Sequence, residues 1–152
     1  MISLKNLKIK KFECLVLHNA NSLLCKNGDE IYKGIRNMKI NGLTSKIGVS
    51  IYDFNVLDKI LKKFKFNLIQ APFNILDQRL VEKGWLKKLK KRKIEVHARS
   101  IFLQGILLLK HNRLPKKLIK LNKKLMVWEN WLKKINLVHC RFAYHLFLIK
   151  AN

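Results

Sequence analysis

Four short apolar runs, separated by longer amphipathic stretches, organise most of the sequence. The runs lie at residues 12–18, 46–52, 67–74 and 94–103, and each is mostly continuous in apolarity rather than alternating. Continuous apolar strands are typical of parallel sheets, in which both faces are covered. The pattern therefore predicts four buried, parallel strands.

The stretches between these runs carry apolar residues at helical spacing. One helix is expected to follow Asn27 and to end near Gly42 as its C-cap. In residues 56–64, an apolar stripe lies opposite lysines, with Asp53 or Asn55 as the N-cap. A third stripe lies between the third and fourth runs. This alternation of strand and helix indicates repeated βαβ units.

The last third of the chain shows no clear fifth strand. Pro115 is expected to begin a helix whose apolar face runs from Leu118 to Ile135. A second helix is expected over residues 138–150. Because no Pro-rich or Gly/Ser-rich linker interrupts the chain, residues 1–152 are predicted to form a single partial domain.

The charge balance leaves two interpretations open. Lys and Arg number 33 against 9 Asp and Glu, for a net charge of +24. Such a balance is typical of proteins that bind nucleic acid or an anionic surface. The basic residues are mostly lysines spread over several helices, however, which favours a solvated basic surface and makes nucleic acid the less favoured partner.

The cysteines and the apolar segments bear on the compartment. Cys14, Cys25 and Cys140 form no CxxC pair, so a reducing cytoplasmic environment is expected. No apolar run approaches the ~20 residues of a membrane-spanning helix, and no signal peptide is recognisable at the N-terminus. His139 and His145 give no convincing metal-ligand pattern with Cys140, so no metal is expected.

Two architectures fit four βα units: an open doubly wound sheet, or part of a closed barrel. The open fold usually carries a Gly-rich phosphate loop after its first strand, whereas residues 18–21 here read HNAN. Polar residues instead follow or end all four runs, as expected for the rim that holds the active site in (β/α) barrels. They are His18, Ser50, Gln70, Asn74, Arg99 and Ser100.

Four segments of the sequence resemble the aldo-keto reductase family. They read LVLHN, KIGVSIYDFNVLDKIL, FNLIQAPFNILDQRL and IEVHARSIFLQGILL, and together they cover roughly residues 3–109. The last is similar to the bacterial branch whose seventh strand reads HARSxFLQG. The resemblance implies NADPH-dependent reduction of an aldehyde or ketone on a (β/α)8 TIM barrel. The present strands would be the fourth to the seventh.

The resemblance also assigns roles to individual residues. His18 matches the catalytic histidine that hydrogen-bonds the substrate carbonyl oxygen. Ser50 and Gln70 match the pair that holds the carboxamide of the nicotinamide ring, a group with one acceptor and two donors. Arg99 stands where many members carry the tyrosine that stacks on that ring, and a guanidinium plane can also stack.

The segment after Arg99 matches the part of the family that wraps the cofactor pyrophosphate. The implied cofactor-binding residues are Ser100, Leu103, Gln104 and Gly105. Gly105 would let the backbone approach the ligand closely.

The family's Asp, Tyr and Lys catalytic motifs find no match in this sequence. We therefore expect a truncated reductase domain that is weak or inactive by itself. Half a barrel has two open strand edges, here residues 12–18 and 94–103. We expect the isolated chain to be poorly soluble, to associate with itself, or to need a separately encoded complementary half. The alternative is a non-catalytic basic module that binds nucleic acid through Lys-rich helices.

Overall fold

The computed structural model of the protein describes residues 2–136 and Val138. The chain divides into two compact units. The first comprises Met1–Ala71 and Lys83–His97, and the second comprises Pro72–Glu82 and Ala98–Asn152. The interpretation of residues 1–152 as a single partial domain stays a prediction, and the helix expected over residues 138–150 lies almost wholly outside the described residues.

Four strands and six α-helices alternate along the described chain. The strands are β1 (Phe12–Leu17), β2 (Thr44–Ser50), β3 (Leu68–Pro72) and β4 (Glu95–Arg99). The helices are α1 (Ile2–Asn6), α2 (Gly28–Ile40), α3 (Phe54–Lys63), α4 (Arg79–Glu82), α5 (Trp85–Lys91) and α6 (Asn122–Lys134). Short 3₁₀ helices lie at Ala20–Leu24, Ile106–Leu108, His111–Arg113 and Lys116–Leu121.

The four predicted strands form one sheet in the order β1-β2-β3-β4. Strand β1 pairs in parallel with β2, and β2 pairs in parallel with β3. The order confirms β1 and β4 as the two edges. The fourth strand ends at Arg99 rather than at residue 103, because Ser100 takes a left-handed φ of +58° that an extended strand cannot accommodate.

Helix α3 shows how the sequence specifies local structure. The Asp53 side chain accepts a hydrogen bond from the Asn55 backbone N–H at 2.9 Å and so caps the helix, which settles the choice between these two residues. The apolar stripe is buried as predicted, with Leu57 and Ile60 fully inaccessible to solvent. Helix α2 ends at Ile40 with Asn41 as its C-cap, one residue before the expected Gly42. Gly42 follows with a φ of +72°, as is common for a glycine just after a helix.

The core of the first unit consists of aliphatic and aromatic side chains from the strands and the helices beside them. The fully buried members are Leu23, Val49, Ile51, Phe54, Leu57, Ile60, Leu68, Ile69 and Leu89. The rings of Phe54 and Trp85 stack with their centroids 6.3 Å apart. Each such side chain contributes ~2 kcal/mol through the removal of apolar surface from water.

The second unit has its own cluster of buried residues, which comes from α6 and the 3₁₀ helix at Ile106–Leu108. Its members are Leu107, Leu125, Trp128 and Leu132. Pro115 is the N-cap of a helix, as expected, but this helix is a 3₁₀ helix, Lys116–Leu121, and α6 begins only at Asn122. No residue of that 3₁₀ helix is buried, so it lacks the packing that stabilises most α-helices in proteins.

The longest of the described helices, α2 and α6, have 13 residues each. Within residues 2–136 and 138, none combines the length and the apolarity that crossing a membrane requires.

Candidate functional site

Three of the predicted site residues lie side by side at the carboxyl ends of the first three strands. Ser50 on β2 and Gln70 on β3 are register partners. On β1, Leu17 pairs with Val49 of β2. His18 is the next residue after Leu17, just as Ser50 is the next residue after Val49. Because adjacent strands are about 4.8 Å apart, the three residues form one row across the sheet.

The Ser50 hydroxyl is the most unusual polar group of this row. Ser50 is 1% exposed, and its Oγ has no hydrogen-bond partner within the described part of the chain. An unsatisfied buried hydroxyl costs roughly 1–3 kcal/mol. Native proteins seldom retain such a group without a reason, so this hydroxyl is available to a polar ligand.

Gln70 stands beside this hydroxyl with its side chain partly accessible. Its backbone carbonyl accepts a hydrogen bond from the Ile51 N–H at 2.9 Å. Its side-chain amide is a separate group that can act as both donor and acceptor. Ser50 and Gln70 together can therefore satisfy a ligand group that carries donors and an acceptor, such as a carboxamide.

His18 is exposed, at the point where β1 gives way to a 3₁₀ helix. The Asn19 side chain caps that helix by accepting from the Asn21 N–H at 3.0 Å, which turns the chain away from the strand direction. The imidazole meets the Tyr52 ring edge-on, with the centroids 6.3 Å apart. In this position the ring can offer an N–H to a ligand in solvent.

Arg99 is the last residue of β4, and the other predicted residues lie in a tightly wound segment that follows this strand, in the second unit. Four of its residues have positive φ: Ser100 at +58°, Leu103 at +48°, Gln104 at +54° and Gly105 at +88°. A non-glycine residue in this region costs on the order of 1 kcal/mol or more. Such conformations persist only where their surroundings hold them, and they concentrate at binding segments.

Gly105 has a different structural reason from the one that the sequence suggested. A Cβ placed on Gly105 would meet no atom within 4 Å, so no close approach inside the described chain demands glycine. The φ of +88° does demand it, because side-chain-bearing residues rarely adopt that value. The predicted close approach to a ligand stays a prediction.

Asn74 anchors the wound segment, a role that the sequence pattern did not predict. It is 2% exposed, and its Nδ2 donates to the Ser100 carbonyl at 3.1 Å. Its Oδ1 accepts from the N–H groups of Leu76 at 2.9 Å and Asp77 at 3.0 Å. Asn74 therefore fixes the first residue of the wound segment, and a buried amide after an apolar run was the available signal.

Replacing Asn74 with alanine is expected to lower the free energy of unfolding by ~1–2 kcal/mol, since the Leu76 N–H loses its partner and the Ser100 carbonyl loses one of its two donors. The Asp77 N–H keeps its bond to the backbone carbonyl of residue 74. Amide exchange at Leu103 and Gly105 should accelerate in the same variant. Asn130→Ala, at an exposed position of α6, provides the control and should change little. Denaturant melts measure the stability of both variants, and hydrogen exchange measures the two amides. Equal effects in the two variants would rule out that Asn74 anchors the wound segment.

Asp77 makes the same region sensitive to acid. Its carboxylate accepts from Arg79 Nε and Nη2, both at 2.8 Å, and this contact holds the Asp77 pKa below its ordinary value of 3.8. A lowered folded-state pKa stabilises the protein above the unfolded pKa, and that contribution disappears as the pH falls through the folded value.

Asp77→Asn is therefore expected to be less stable than the parent chain at neutral pH, with a difference that shrinks below about pH 4. Denaturant melts of the two proteins at neutral and acidic pH measure this difference. A gap that stays constant with pH would show that the carboxylate charge contributes nothing.

Metal binding finds no support in the described residues. Within residues 2–136 and 138, no three His, Cys, Asp or Glu side chains cluster in a way that could hold a metal ion. His139, Cys140 and His145 lie outside the described residues, so the expectation that they bind no metal stays a prediction.

Comparisons with known proteins give a consistent result. A family model described as the aldo/keto reductase family matches residues 2–140. None of the curated proteins matches the chain. The solved structure of the glycerol dehydrogenase from Gluconobacter oxydans is similar at a TM-score of 0.73 and 22% identity, over 97% of this chain and 49% of that one.

Two further solved structures agree with it. An aldo/keto reductase from Klebsiella pneumoniae, in complex with NADP and acetate, gives a TM-score of 0.61 at 15% identity, over 92% of this chain and 46% of that one. The holo form of an aldo-keto reductase from Bacillus halodurans gives 0.58 at 24% identity, over 75% of this chain and 37% of that one.

At these identities the likeness shows the fold. The chain spans half or less of the length of these three solved structures. Its four parallel strands and their helices correspond to part of a (β/α)8 barrel, which confirms the predicted fold class. Because the family model matches most of the sequence, the chain belongs to the aldo/keto reductase family.

Proposed function

We propose that the chain binds NADP(H) and forms part of an oxidoreductase that acts on the carbonyl group of a small aldehyde or ketone in the cytoplasm. The observation that carries the proposal is the buried Ser50 hydroxyl, which has no partner in the described structure and lies in register with Gln70. The bound cofactor would supply a hydride. The residues of this chain would hold the cofactor and orient the substrate.

Ser50 and Gln70 fit the carboxamide of a nicotinamide ring. The Ser50 hydroxyl and the Gln70 amide offer both donors and acceptors, and their strand positions fix the distance between them. Binding through rigid strand ends orients the ring at little entropic cost. The desolvation penalty of the orphaned hydroxyl disappears when the carboxamide supplies its partner.

His18 would orient the substrate. Its exposed imidazole can donate an N–H to the carbonyl oxygen, on which negative charge develops during reduction. A hydrogen-bond donor that binds this developing charge more strongly than it binds the neutral carbonyl lowers the activation barrier of the reduction. His18 thus acts as a catalytic hydrogen-bond donor in this proposal.

The wound segment of the second unit would bind the phosphate end of the cofactor. Arg99 brings a guanidinium, which can stack on a ring and attract phosphate. Ser100, Leu103, Gln104 and Gly105 would contribute backbone and side-chain contacts. The Asn74 side chain donates a hydrogen bond to the Ser100 carbonyl at 3.1 Å, and this bond supports a segment that is preorganised for its ligand.

Turnover by the chain alone is proposed to be slow or absent. No stretch of the sequence resembles the family's Asp, Tyr and Lys motifs, which deliver the proton to the forming alkoxide. These groups would come from a complementary part of the barrel. Among the described residues, β1 and β4 are the edge strands of the sheet, and such edges are suited to association.

A cofactor titration tests the proposal. NADPH fluorescence should change on addition of the full chain, and Gln70→Glu should raise the Kd about tenfold because the new carboxylate cannot donate. Gln78→Glu introduces the same charge outside the row and serves as the control. DNA binding is measured in parallel at moderate salt. Salt-resistant DNA binding without any NADPH response would contradict the proposal and favour a nucleic-acid module.

A further inference from the structure

A cleft of about 630 Å³ opens in the first unit, near the amino-terminal end of β3. Its cationic lining residues are Arg36, Lys39, Lys63 and Lys65. Asn67, another lining residue, comes just before β3, whereas Gln70 lies near that strand's carboxyl end. The cleft and the row of His18, Ser50 and Gln70 are therefore at opposite ends of the strands.

Most of the positive charge of the cleft has no carboxylate partner among the described residues. No Asp or Glu of this part of the chain lines the cleft. Lys63 has a partner, since its Nζ lies 2.6 Å from Asp29 Oδ2. Lys39 Nζ donates to Asn67 Oδ1 at 2.9 Å, but this amide is neutral and leaves the charge uncompensated.

Arg36 and Lys65 complete the uncompensated set. Neither forms an ion pair with a carboxylate of the described residues. Three positive charges thus share one concave surface with no matching anion, which raises the local potential for a negatively charged ligand.

The wall of the cleft is fixed by contacts that do not use these charges. The Tyr32 hydroxyl donates to the Lys65 carbonyl at 2.8 Å and accepts from the Lys65 N–H at 3.2 Å. The Tyr32 ring packs against Phe64 with the centroids 4.6 Å apart. Asn67 Oδ1, which holds Lys39, also accepts from the Ile47 N–H at 3.1 Å. Such anchoring reduces the entropy that ligand binding would cost.

We propose that this cleft is a binding site for a small ligand that bears a phosphate or pyrophosphate group. A planar guanidinium and two ammonium groups match the several anionic oxygens of a phosphate through charge-assisted hydrogen bonds. The volume falls in the range of small-molecule sites and exceeds that of phosphate itself. The ligand therefore carries an organic part as well. The site does not depend on the cofactor site proposed above.

A lysine footprint on the full chain tests this site locally. Inorganic pyrophosphate is the probe, an amine-acetylating reagent modifies the lysines, and mass spectrometry reads each position. At a pyrophosphate concentration ~10 times its Kd, acetylation of Lys39 and Lys65 should slow about tenfold, because these lysines react only in the unbound chain. Lys87 and Lys91, exposed on α5, should keep their rates, and chloride at equal ionic strength should protect neither pair.

The variant Arg36→Gln is expected to raise the apparent Kd about tenfold, whereas Lys91→Gln removes one charge elsewhere and should leave it unchanged. Because the readout is local, pyrophosphate bound near Gly105 does not affect it. Equal protection of all lysines would show a diffuse counter-ion cloud and overturn the site. The proposed site would also be overturned if long DNA or RNA strands protected Lys39 and Lys65, pyrophosphate did not, and Arg36→Gln left that protection unchanged.

Discussion

Replacing Gly48 with alanine is expected to lower the free energy of unfolding by about 3 kcal/mol. Gly48 lies on β2 opposite Leu68 of β3. An added Cβ would stand 2.8 Å from the Leu68 carbonyl oxygen and 3.1 Å from its Cδ2. The backbone oxygen cannot move aside, because Val49 and Ile69 in the same two strands are fully buried. The strands must therefore separate two register pairs before Ser50 and Gln70.

Gly34→Ala provides the matched control for this prediction. Gly34 lies inside α2, and a Cβ there would meet nothing within 4 Å. Alanine should therefore stabilise the protein by ~0.5–1 kcal/mol through helix propensity. Chemical denaturation of the parent chain and both variants should give shifts of opposite sign. Two shifts of the same sign and size would contradict the close strand approach at Gly48.

Ser50→Ala is expected to change stability and ligand binding in opposite directions. Removing the orphaned buried hydroxyl should raise the free energy of unfolding by about 1 kcal/mol. The same change should raise the Kd for NADPH about tenfold, because the carboxamide loses one partner. A residue that serves only the fold would not show this opposition.

Ser45→Ala is the control, at a half-buried position near the other end of β2. It should leave the NADPH affinity unchanged. Thermal or denaturant melts and fluorescence titrations measure the two effects on the same samples. A Ser50→Ala protein that is less stable and binds NADPH as well as the parent would identify the hydroxyl as structural.

The strands could be predicted from the sequence because residues buried on both sheet faces leave a continuous apolar run. Their ends were harder to predict. Strand β2 begins at Thr44 rather than at Lys46, since Thr44 is 1% exposed and donates its hydroxyl to the Lys46 carbonyl at 2.8 Å. A polar residue that satisfies itself locally can continue a buried strand, and apolar patterning does not register it.

The row of His18, Ser50 and Gln70 could be predicted as well, because the carboxyl ends of parallel strands share one edge of a sheet. The anchoring of Ser100 could not. It depends on a hydrogen bond from Asn74, which lies 26 residues away in the sequence. The positive φ of Ser100 is a consequence of that tertiary setting, and the residue's own preference does not predict it.

The basic cleft could not be predicted from the sequence either, because it also depends on tertiary structure. Its cations come from α2 and from the residues that precede β3, and in the sequence they are indistinguishable from the lysines of exposed helix faces. Only the fold brings Arg36 and Lys65 around one cavity and shows that no described acidic side chain lines it.

Saturation transfer from the protein to NADP⁺ tests the central claim, that the strand ends of this chain bind the nicotinamide part of the cofactor. With the parent chain, the nicotinamide protons should receive strong saturation. In Ser50→Ala combined with Gln70→Glu, that signal should fall well below the parent value at equal protein concentration. Saturation confined to the adenine protons, or an equal nicotinamide signal in parent and variant, would contradict the claim.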